Sequence, residues 1–225
     1  MKLVGERRAL SAVVFAFFFI QYLMQAILGG GPEERLFYSL AGCYGMAFFS
    51  LVAGYFWARW YSVGVGLFGC ILGAIGLWKM GPEFQVILIG GLHLAATMAL
   101  LGDAMSSAYD GKAGWREKLH MDDSAVQRLG RSVIRAGVSL PIVLAYAFAP
   151  KEPATVSLLA AVLATAGLSA VIRLRTWGVL AFAASGGLMM TLGIEHAQVQ
   201  PLVAGALLLA AAAPFARPML RLIRA

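Results

Sequence analysis

Eight stretches of this chain are long and apolar enough to cross a bilayer, a feature that excludes nearly every soluble architecture. They fall at 9–29, 36–57, 62–80, 84–104, 133–149, 154–172, 176–194 and 198–216. A hydrocarbon core about 30 Å thick takes about 20 apolar residues of helix to span, within a range of about 17–25. Inside lipid the backbone must satisfy its own hydrogen bonds, so uninterrupted runs of this length are helices. The expected fold is all-α: a polytopic transmembrane bundle of eight spans. Short breaks rich in Gly, Pro or charge, such as GGGPEER (29–35), KMGPE (79–83) and APKEP (149–153), mark where the chain leaves the bilayer. The 225 residues are 60% hydrophobic and 13% charged, which leaves no length for a separate soluble domain. Lys2, Arg7 and Arg8 ahead of the first run resemble a signal peptide, but the run exceeds the usual h-region of about 7–15 residues and is expected to stay as the first span.

Charge sets the expected orientation. With the N-terminus in the cytoplasm and the spans alternating, 15 of the 18 basic residues fall on the cytoplasmic side. Only Arg35, Lys79 and Lys151 fall outside. This is the bias of the positive-inside rule, and one span more or fewer would scramble it. Both termini are expected to be cytoplasmic, in an inner membrane of bacterial type. The formal charge of +7 then faces anionic headgroups and implies no nucleic acid.

Three segments are expected. Residues 1–108 form a first four-helix half, 109–132 a cytoplasmic loop, and 133–225 a second four-helix half. ARWYSVGVGLFGCILGAIGL (58–77) and IRLRTWGVLAFAASGGLMM (172–190) both run from a basic turn through a Trp into a Gly/Ala-rich helix. GGLHLAATMALLG (90–102) and AGALLLAAAAPFA (204–216) belong to the fourth span of each half. A 4+4 tandem repeat is expected from them, and four spans per half make it parallel rather than inverted. The competing explanation is that Gly, Ala and Leu align by chance in any membrane protein. In the loop, Asp122 and Asp123 suit a helix N-terminus, and Val126, Leu129, Val133 and Ile134 recur at helical spacing. Arg128, Arg131 and Arg135 form a stripe expected to be a basic cytoplasmic surface, a snorkelling collar more readily than a docking face.

Two features stand out within the spans. Gly66, Gly69, Gly73 and Gly76 lie on one face of the third span, where bare backbone lets a neighbouring helix approach. The expected partner row on the fourth span is Gly91, Ala95 and Ala99. His93, near the middle of the fourth span, is the one Lys, Arg, His, Asp or Glu deep in any run. An intramembrane ionisable group is a functional hypothesis by default, yet a neutral imidazole is also satisfied by one interhelical hydrogen bond, from Tyr44 or Thr165. Structural bonding is favoured over a ligand or proton site formed with Gln21, Gln25 and Tyr44. Gln21 and Gln25 share a face of the first span and suit interhelical glue.

Catalytic and cofactor patterns fail. AASGG (183–187) is similar to the GxSG motif of intramembrane serine proteases, but these pair the serine with a histidine two spans later, and here none follows His196. HMDD (120–123) is too isolated for a metal site, and YDGK lacks the glycines of a phosphate loop. Cys43 and Cys70 both lie in apolar runs, with no metal-ligand spacing. No cofactor or metal is expected. The leading expectation is a non-enzymatic integral membrane subunit or regulator, with a protein partner or a second copy. The alternative is a small transporter or channel with a site near His93, and the third is an integral membrane enzyme.

Overall fold

The computed structural model describes residues 4–109, 122–149 and 155–224, and every element among them is helical. In chain order they are α1 (Val4–Gly29), α2 (Glu34–Ala53), α3 (Ala58–Met80), α4 (Phe84–Leu100), α5 (Asp103–Tyr109), α6 (Asp123–Phe148), α7 (Thr155–Ile172), α8 (Trp177–Glu195) and α9 (Val199–Arg224). Seven of these helices are long and apolar enough to cross a membrane. The remaining expected run, 84–104, is divided: α4 is 17 residues long and meets α5 at a bend of 72°. Gly102, at φ +96°, takes the left-handed conformation that the bend requires. The molecule is a helical, multi-pass membrane bundle. Its outward faces carry Val13, Ile20, Phe49, Ile71, Leu94, Val162 and Leu180, the apolar exterior a lipid-immersed chain needs.

The helices close into two rings. α1 packs on α2, α2 on α3, α3 on α4, and α4 returns to α1. In the same order, α6 packs on α7, α7 on α8, α8 on α9, and α9 returns to α6. The rings meet where α2 and α3 lie against α6. The closest approach there is Gly64 of α3 against Gly137 of α6. A Cβ on Gly137 would stand 2.9 Å from the Tyr61 carbonyl oxygen and 3.2 Å from the Gly64 Cα, so only glycine lets these backbones meet. Arg135 does not join this junction, since it is directed into the second ring.

Residues 123–132 do not form a separate surface segment. They continue without a break into the span that follows, in one 26-residue helix. The Asp122 carboxylate caps it, accepting from the Ala125 N–H at 2.6 Å. Val126, Leu129 and Gly130 are buried, and Gly130 sits against the Trp60 indole. The apolar stripe thus docks onto the start of α3. Of the expected basic surface, Arg131 is exposed and Arg128 is half-exposed, 4.0 Å from Asp122. The rest of the loop, including HMDD up to Met121 and YDGK from Asp110, lies outside the described residues.

Candidate functional site

The glycine row of α3 reads directly onto α4, but not onto the expected partner row. A Cβ on Gly66 would meet Thr97, one on Gly69 would overlap the His93 ring, one on Gly73 would stand 2.6 Å from the Gly90 Cα, and one on Gly76 would stand 2.9 Å from Val86. The partners 97, 93, 90 and 86 descend as the glycines ascend, as antiparallel helices in close contact must. Gly91 and Ala95 are exposed, and a Cβ on Gly91 would meet nothing within 4 Å. The small-residue pattern misplaced the partner face because neighbouring helix positions are turned about 100° apart, and the bulkier row of Val86, His93 and Thr97 fits grooves left by glycine.

His93 is therefore held by all four helices of the first ring. It is 1% exposed. Nδ1 stands 2.8 Å from the Ile89 carbonyl oxygen, one turn back on α4. A carbonyl can only accept, so Nδ1 carries the proton. Nε2 is then the acceptor, and the Tyr44 hydroxyl of α2 donates to it at 2.7 Å. Both nitrogens are satisfied in one neutral tautomer, with no net charge in the hydrocarbon region. The Phe18 ring of α1 lies 4.1 Å away, centroid to centroid, tilted by 33°. Gly69 of α3 covers the ring on another side. Thr97 completes the joint by donating to the His93 carbonyl oxygen at 2.8 Å. Thr165, the other candidate partner, donates to Ala161 at 2.8 Å within its own helix.

The two glutamines do not join this constellation. Gln25 is exposed, while Gln21 is half-buried with its Oε1 unpaired among the described residues. A cavity of about 540 Å³ lies elsewhere, between the rings, and neither His93 nor a glutamine lines it. Its walls are the Arg35-to-Met46 face of α2, Leu140, Leu144 and Phe148 of α6, and Thr165 of α7, over Tyr61.

A second polar device was missed at the sequence level. Arg7 and Ser11 in α1 stand four residues apart, and so do Arg135 and Ser139 in α6. Ser11 donates to the Ala96 carbonyl oxygen of α4 at 3.0 Å, and Ser139 donates to that of Ala204 in α9 at 2.9 Å. Arg7 donates through Nε to Ala99 at 2.9 Å and through its terminal nitrogens to Leu101 and to Met98, whose carbonyl also accepts from the Leu101 amide at 3.2 Å; Ala99 and Leu101 lie where α4 ends and its carbonyls run out of backbone donors. Arg135 donates to Ala210 at 2.5 Å. Ala210 would ordinarily accept from the amide four residues on, but that residue is Pro214, which has none. In each ring, an arginine on the first helix supplies a donor that the fourth helix lacks, at the end of α4 in the one and at Pro214 within the unbroken α9 in the other.

Among the described residues, no group of three or more His, Cys, Asp or Glu could hold a metal ion. Cys43 and Cys70 are free thiols. Comparison with protein-family models, curated proteins and solved structures gives no match.

Proposed function

We propose that this chain is a non-enzymatic subunit or regulator of an inner-membrane assembly, built as a parallel 4+4 repeat of eight spans with both termini in the cytoplasm. The observation that carries the reading is the state of His93. Its two nitrogens are both used in protein hydrogen bonds inside a closed joint, which leaves the imidazole no free nitrogen to bind or relay. Several other polar groups deep in the bundle are spent in the same way: Ser185 donates to Ala160 at 2.7 Å, and Ser11 and Ser139 each tie the first helix of a ring to its fourth. Supporting the repeat, the two rings share their packing order, and adding 128 to Arg7 and Ser11 gives Arg135 and Ser139. In favour of eight spans, α4 lies within the roughly 17–25 residues that can cross a bilayer, and the positive-inside bias holds only when it does. Anionic lipid on the cytoplasmic side and a protein partner or second copy complete the proposed setting.

A transporter with its substrate at His93 would have to release the ring from Tyr44 and Ile89 in every cycle. The test is mass. Extracted gently into native nanodiscs, the chain should run with a stable stoichiometric partner, or as a homo-oligomer, by native mass spectrometry. A lone monomer under conditions that preserve known membrane complexes would overturn the reading. Reporter fusions at Arg116 and at the C-terminus should report cytoplasm, and one at Glu195 the outside. An external signal at Arg116 would overturn the eight-span topology.

A further inference from the structure

The cavity between the rings has the shape and polarity of a lipid site. It follows one face of α2 from Arg35 through Tyr38 and Gly42 to Met46, with α6 and α7 opposite. The helical steps from Arg35 to Met46 rise roughly 16 Å, about half of a hydrocarbon core roughly 30 Å thick. The cavity is therefore one leaflet deep. Its volume of about 540 Å³ over that length has room for an extended hydrocarbon chain. The walls are almost wholly apolar, with Met46, Leu140 and Leu144 at the deep end and Arg35 and Tyr38 at the other. Arg35 is exposed in the first turn of α2 and has no ion-pair partner among the described residues. Glu33 and Glu34 do not line the cavity.

We propose that this groove binds one anionic lipid, its phosphate on Arg35 and an acyl chain lying along α2 between the two rings. In a bilayer an apolar wall gains little over ordinary lipid contact, because acyl tails are as apolar as leucine. The selectivity therefore comes from the cation at the mouth, and the groove fixes where the chain lies. This inference goes beyond the assembly reading and does not depend on it, since its readout is lipid retained per chain.

The probe is phosphatidylglycerol in nanodiscs mixed equally with phosphatidylcholine, followed by native mass spectrometry of the released protein. The wild type should retain one lipid, with phosphatidylglycerol preferred about fivefold, the factor expected for one cation acting on one lipid charge. Arg35→Gln should bring the preference close to one. Lys79→Gln, an exposed cation that does not line the groove, should leave it unchanged. Gly42→Leu should remove the retained lipid: a Cβ there meets nothing within 4 Å, so the side chain enters the groove without disturbing the packing. Gly91→Leu, equally open but on another face, should retain lipid like the wild type, and circular dichroism should show both variants folded. A fivefold preference surviving Arg35→Gln, or equal retention by the two leucine variants, would overturn the proposal. So would a wild-type dimer that Gly42→Leu splits, because the groove would then be a contact between copies.

Discussion

Gly69→Ala adds one methyl group, and its effect should be felt on three helices. The new Cβ would overlap the His93 ring, so the ring must retreat by more than an ångström to reach ordinary contact. It has little room, because Phe18 is packed 4.1 Å away, centroid to centroid. Any swing about the side-chain bonds pulls Nε2 from the Tyr44 hydroxyl and Nδ1 from the Ile89 carbonyl. Overpacking of a tight core costs about 1–3 kcal/mol, and an interhelical hydrogen bond in a membrane averages about 0.6 kcal/mol with a maximum of about 1.7. Together they give a destabilisation of roughly 2–4 kcal/mol, against total stabilities of about 5–15 kcal/mol. The assay is reversible unfolding in mixed micelles, run as a double-mutant cycle with His93→Ala. That second variant empties the space the methyl needs. Gly69→Ala should then cost under about 0.5 kcal/mol in the His93→Ala background, a coupling far outside the additivity of independent sites. Equal costs in both backgrounds would refute the argument, because the methyl would then be meeting something other than the imidazole.

Other consequences are independent of that joint. Tyr44→Phe should cost about 0.6–1.7 kcal/mol, and His93→Gln should retain most of the stability of the wild type, both measured by the same unfolding assay. Arg135→Met should destabilise the second ring, and in a Pro214→Ala background the loss should shrink, because the restored amide serves the Ala210 carbonyl; an undiminished loss would remove proline from the explanation. Gly137→Leu should part the two rings and lower the melting temperature far more than Leu94→Ala on the exposed exterior. The Asp122 carboxyl is held below its ordinary value by the Ala125 N–H, then by the Ser124 hydroxyl. Its cap is thus complete above the unfolded value of roughly 3.9 and is lost as the pH falls through the lower folded one. The Ala125 amide should lose exchange protection in that acid window, and Asp122→Asn should flatten the response.

Where the sequence speaks about the fold, it does so through period and length, signals that accumulate over twenty residues. The helical class, the apolar exterior and the glycine face of α3 are of this kind. What it left obscure turns on single angles. Gly91 and Ala95 looked like the partner row because small residues attract attention, yet the helix is turned so that His93 and Thr97 face the glycines. Arg135 looked like part of a cytoplasmic collar with Arg128 and Arg131, yet it is spent on a carbonyl of α9. Nothing in a stripe of arginines says which one points inward, until Pro214 is seen to leave Ala210 without a donor.

That pairing gives the proposed repeat a physical argument beside the compositional one. Alanine and leucine align with themselves in any membrane protein, so the matched stretches 90–102 and 204–216 carry little weight alone. An arginine and a serine four residues apart, each bonding the fourth helix of its own ring, are not a product of composition. The serine contacts match Ala96 with Ala204, a register that sets Gly102, at the bend after α4, against Ala210, the carbonyl freed by Pro214. Both rings thus lack a backbone donor in the fourth helix at the same level and supply it from the first. The same register sets His93 against Pro201, which cannot make the bonds the imidazole makes. The histidine joint therefore belongs to the first ring alone. If the halves arose by duplication, this joint is where they diverged, and replacing it should leave the second ring's clamp intact. Ser139→Ala should accordingly cost the same, within about 0.3–0.5 kcal/mol, whether or not His93 is present. A larger coupling would mean that the two rings are not independent units and that their shared packing order has another cause.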